Sequence, residues 1–142
     1  MSVSTAIFTL LKQANVPSVG ARRIFPDVVP INERDKYDPN QCALVYQIIS
    51  VTPNDTLYQG SPVDDVRVQI SAYSSNNLVA ELAIDDVRSY IDRLTRTTIS
   101  GVDIMSISFL DARGQYDEKG ERAGNSHDYK FRIKRYGNPY TT

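Results

Sequence analysis

The sequence has no tryptophan, one cysteine and one histidine in 142 residues. A lone Cys42 excludes an intrachain disulfide and a zinc site built on cysteines. No apolar run approaches the roughly twenty residues that a membrane span needs. The first residues place spaced apolar side chains behind no basic stretch, which does not read as a secretion signal. A soluble protein, intracellular when made, is the expectation. Sixteen basic side chains against seventeen acidic ones leave a net charge of -1. That balance argues against a globally basic nucleic-acid binder, although a local patch remains open. The spacings GxxxxGK[ST], GxGxxG and HExxH are missing, as are internal repeats and low-complexity tracts.

What is there centres on residues 63–94. Val66, Val68, Ile70 and Ala72 alternate with Arg67, Gln69, Ser71 and Tyr73, the period of a strand with one apolar face. Ser74, Ser75, Asn76 and Asn77 then offer helix N-caps, because short polar side chains accept from free N–H groups. In the helix that follows, Val79, Ala80, Ala83, Ile84, Val87, Tyr90, Ile91 and Leu94 form a wide apolar face. Asp85/Arg88 and Asp92/Arg96 are spaced for weak surface pairs. Leu78 and Leu82 project from the charged side.

Around this unit, Val3, Ile7, Leu10, Leu11 and Ala14 mark a short N-terminal helix ended by Asn15, Pro17 and Gly20. Residues 22–26 predict a short edge strand cut off by Pro26. Residues 43–51, apolar on both faces, predict a central strand. Residues 102–110 predict a strand with Met105, Ile107 and Phe109 on one face. In residues 128–136, Tyr129, Phe131 and Ile133 alternate with Lys130, Arg132 and Lys134. Residues 32–41, 53–62 and 111–127 read as flexible polar loops. The order α-β-β-β-α-β-β predicts a single α+β domain over residues 1–142. Its architecture is a two-layer sandwich, a mostly antiparallel sheet of about four to five strands with two α-helices packed on one face.

The same residues predict no enzyme, no metal site and no cofactor. His127 falls in the polar stretch and reads as a solvated ring. Cys42 beside a buried strand reads as a packed thiol. Asp64-Asp65 and Asp85-Asp86 read as a loop and a helix surface, since helix neighbours point about 100° apart and share no proton. Two features invite contact with other molecules. Leu78 and Leu82 make an apolar pair that suits a subunit interface. Lys130, Arg132 and Lys134 form a basic strand face, which suits a solvated face or protected edge first and contacts to phosphates or a neighbour's acids second.

The succession of a helix, GARRIFPDVVP, ALVYQIISVTP, VRVQISAYSSNNLVAELAIDDVRSYI and DYKFRIKRY resembles the tail-completion, or tail-terminator, proteins of long-tailed bacteriophages. The likeness rests on Arg23-Ile24-Phe25-Pro26, on the Y-x-x-V-x-x-T-like strand from Tyr46 to Thr52, and on the VQI strand running into a long helix. The resemblance implies a structural virion protein forming a ring, typically hexameric, at the head-proximal end of the tail tube. There it stops tube assembly and joins the head connector. It implies a tail-tube protein and a connector or neck protein as partners, with transient proximity to DNA in the lumen and no membrane. Its place is the virion tail or neck, and the host cytoplasm during assembly. Arg113, Tyr116, Asp117, Lys119 and Arg122 would then form an axial docking loop. Another neck, tube or baseplate subunit, or a small nucleic-acid-binding domain, are the alternatives.

Overall fold

The computed structural model describes residues 3–17, 19, 24–27, 42–53, 63–74, 76–116 and 123–134. The elements in chain order are α1 (Val3–Ala14), β1 (Ile24–Pro26), β2 (Ala43–Pro53), β3 (Val63–Ser74), α2 (Asn77–Asp92), β4 (Thr97–Ile99), β5 (Val102–Tyr116) and β6 (Ala123–Lys134). The strands form one six-stranded sheet in the order β1-β2-β3-β6-β5-β4. β1 runs parallel to β2, and every other pairing is antiparallel. The fold is therefore α+β as expected, but the sheet is mixed, holds six strands rather than four to five, and is strongly curled into a half-barrel.

The curl follows from what α1 touches. A flat sheet puts its outer strands five steps of about 4.8 Å apart, roughly 24 Å, twice the width of a helix with its side chains. Yet α1 packs against β1 and β2 at one edge and against β4 at the other. The Thr9 and Ser100 hydroxyls meet at 3.2 Å across that gap. Three β-bulges, one in β2 and two in β5, add local twist.

One apolar core takes residues from both helices and the sheet. α2 supplies Ala80, Ala83, Ile84, Val87 and Ile91, the face predicted from its period, and packs on β3 and β6. Asn76 is the cap among the four candidates, and its side chain accepts from the Leu78 N–H at 3.1 Å. Asn15, at φ 49°, ends α1 in the left-handed region that asparagine tolerates. Cys42 is buried, as expected of a packed thiol.

Four expectations need correction. β4 is an added strand, joined to β5 by the two-residue turn Ser100-Gly101 with φ of 51° and 78°, the pattern of a type I′ hairpin. The polar stretch 111–127 is largely strand: β5 continues to Tyr116, and β6 starts at Ala123. Residues 117–122 of that stretch, and the stretches 32–41 and 54–62, lie outside the described residues. β2 is buried only over Ala43, Leu44, Val45 and Tyr46, and it is mostly exposed beyond, because β1 partners only Leu44, Val45 and Tyr46. Finally, the bulge after Ile104 turns Met105 out of phase, so that Ile104, Ile107 and Phe109 share rows with Ile133, Phe131 and Tyr129.

Candidate assembly surface

Leu78 and Leu82 stand on the outer side of α2, 60% and 56% exposed. The helical period explains both their pairing and their position opposite Ala80, Ala83 and Val87. Exposed Glu81, Asp85 and Asp86 surround them. The pair is thus an apolar spot in an acidic surface. Arg88 and Asp92 make a weak helical pair at 3.6 Å. Arg96 leaves the helix face, and its guanidinium grips Asp103 through two hydrogen bonds of 3.2 and 2.7 Å.

The basic strand face lies elsewhere than an edge would put it. β6 sits between β3 and β5, so Lys130, Arg132 and Lys134 occupy a central strand and protect no edge. They point away from the core-facing Tyr129, Phe131 and Ile133 and are half-buried. Arg132 Nε donates to Asp65 at 3.1 Å, so part of this charge is already used within the chain. Asp64 and Asp65 correspondingly belong to β3, not to a solvated loop, and Asp64 is buried.

Asp128 anchors this polar face. Its side chain is 3% exposed, and it accepts from Arg67 at 2.7 Å and from Arg113 at 3.2 Å. Burying a carboxylate is tolerable only when it is paired, and here two guanidinium groups do so from the neighbouring strands. Arg113, expected in an axial loop, is therefore a strand residue of β5 engaged in this pairing. Tyr116 is the last residue of β5, and Asp117, Lys119 and Arg122 lie outside the described residues.

His127 is the clearest reversal. It is buried on the helix-facing side of β6, with its ring edge-on to Phe109 at 5.2 Å and Nδ1 3.3 Å from the Tyr129 hydroxyl. The Arg88 guanidinium covers Phe109 at 3.8 Å. Burial pushes the His127 pKa down. Asp85 and Asp128 oppose that shift and Arg88 adds to it. Burial likewise raises the Tyr129 phenol. The cluster is core packing with a polar seam. Composition pointed to a loop here; the register signal is that His127 shares rows with Ile70 and Ala112.

Among the described residues, no three metal-binding side chains come together. A notch between α1 and β1, lined by Leu11, Val16, Ile24 and Leu44, has a volume of about 50 Å³. Small-molecule pockets run to hundreds of Å³. Residues 5–134 match the family described as Tail completion protein gp17, and the chain belongs to that family. It is thus a non-enzymatic structural protein of the virion tail. The fold is similar to a chain in a solved structure described as the virion of a native gene transfer agent particle. The TM-score is 0.61 at 15% identity, over 94% of this chain and 98% of that one. No curated protein matches the sequence.

Proposed function

We propose that the protein closes into a hexameric ring at the head-proximal end of the tail. There it stops tube growth and joins the tail to the head connector. The observation that carries this reading is the Leu78/Leu82 pair, exposed on the outer side of a helix whose other side is core, in a member of a tail-completion family. Rings need heterologous contacts, in which one patch meets a different patch of the next copy. Burying each leucine there contributes up to about 1.5–3 kcal/mol. The whole of residues 1–142 acts in this reading as one domain. Its direct neighbours are further copies of itself, the tail-tube protein and a connector or neck protein, with DNA passing close by in the lumen. The basic face of Lys130, Arg132 and Lys134 adds charged contacts. The protein assembles in the host cytoplasm and ends in the virion neck.

Negative-stain microscopy of the purified protein, alone and with tail tubes, tests this. Closed rings, or density capping one end of each tube, are expected. Extended tubes made from this chain alone would instead make it a polymerising tube subunit.

A further inference from the structure

Leu82 stands at the centre of the exposed patch on α2. Leu78, Asp85 and Asp86 lie one helical turn away on the same side, and all three are exposed. An apolar knob with acids beside it fits a partner that offers an apolar recess with a cation on its rim. Arg88, further along the helix, is turned to the Phe109 ring instead.

The chain itself carries such a recess. The notch between α1 and β1 has walls of Leu11, Val16, Ile24 and Leu44. Lys12 and Asn15 line it too, and both are exposed, so the notch opens to solvent on their side. Lys12 is the only charged residue in α1, and none of the described lining residues is acidic. By the measure in which a single water needs about 10–15 Å³, the volume of about 50 Å³ takes roughly three to five heavy atoms, the size of a leucine side chain. An apolar recess left unfilled forfeits the dispersion contacts of its walls. An alkyl group placed there recovers them and removes apolar surface from water. The two features do not meet within one copy, since Leu78 and Leu82 are exposed and form no part of the described lining.

We propose that the notch between α1 and β1 is the socket that receives Leu82 of the next copy, with Lys12 facing the acids Asp85 and Asp86 across the contact. The occupant is a second copy of this chain, and the contact is heterologous, knob on one copy and socket on the other. This rests on the ring reading above and names the patch that meets the α2 leucines.

Charge exchange at the rim tests it. Lys12→Glu, and separately Asp85→Lys with Asp86→Lys, should each weaken assembly about tenfold or more in sedimentation velocity, because like charges then face each other. All three substitutions together should restore assembly. Every variant should keep a cooperative thermal melt, because the three sites are exposed. The second arm is size. Leu82→Trp enlarges the knob at an exposed position, and a socket of this volume excludes an indole, so assembly should fall while the melt is kept. A flat apolar contact would instead gain area from the tryptophan, and tighter assembly of that variant overturns the socket. Closed rings that form equally well from Lys12→Glu and from the Asp85→Lys/Asp86→Lys protein overturn it too, while leaving the ring reading intact. A parent that stops at a complex of two copies overturns the ring and the heterologous contact together. A chain that stays monomeric at every concentration, with and without tail tubes, removes both readings.

Discussion

The two faces of the central β3–β6 pair come from the same alternating residues and do opposite work. On one face Val66, Val68, Ile70, Tyr129, Phe131 and Ile133 are fully buried. On the other, Asp65 shares a row with Arg132, and Asp128 lies opposite Gln69, one row along that face from Arg67 and Lys130. The first face holds the fold together by apolar burial, a term of about 25 cal/mol per Å². The second is a lattice of partly exposed ion pairs, each worth about 0–1 kcal/mol. The exception is Asp128, a nearly buried carboxylate on the polar face. The difference teaches where to look for function: mutations on the core face read out folding, and those beyond it can read out assembly alone.

Substitutions ordered by their cost to folding sharpen that contrast. Val87→Asp puts an unpaired charge into the core and should cost about 4 kcal/mol or more, seen as loss of the cooperative thermal transition. Asp128→Ala, on the opposite face, should cost about 1–3 kcal/mol by chemical denaturation, because two arginines lose a shared partner. A cost as large as that of Val87→Asp would break the distinction between the faces. Next comes pH. The folded-state pKa of His127 is lowered by burial below its ordinary 6.5, so the unfolded chain takes up its proton first. The His127 contribution is fully present above pH 6.5 and is lost as pH falls through 6.5 towards the folded value. Because the chain has one histidine, His127→Phe should remove that slope between pH 5 and 7, measured as the midpoint of urea unfolding. Smallest for folding is Leu78→Glu with Leu82→Glu, expected within about 0.5 kcal/mol of the parent.

How much of this was legible depended on whether burial left a period in the sequence. α1, α2, β3 and the second half of β6 alternate or repeat cleanly, because each has one apolar face, and the helix caps at Asn15 and Asn76 follow from side-chain chemistry. The exposed position of Leu78 and Leu82 followed from the same period. The remainder left weaker traces. β4 is three residues long, and its signal was the Ser-Gly turn rather than any pattern. The outer halves of β5 and β6 are written in Asp, Arg, Gly, Asn and Ser, which composition reads as loop. They are strands because β6 pairs with β3 along its whole length, from Val63↔Lys134 to Ser74↔Ala123, a tertiary cause absent from local sequence. The buried place of His127 and the pairing of Arg113 with Asp128 follow from that hairpin and were missed with it. The parallel β1–β2 pairing, which makes the sheet mixed, has no local signature.

The proposed ring needs the outer side of α2 for assembly, while its inner side is core. Sedimentation velocity on the Leu78→Glu/Leu82→Glu protein, paired with its thermal melt, tests this most directly. The double variant should keep the parent's melting temperature and sediment as a monomer under conditions in which the parent forms a closed oligomer. A double variant that assembles like the parent, or one that no longer folds, would contradict it.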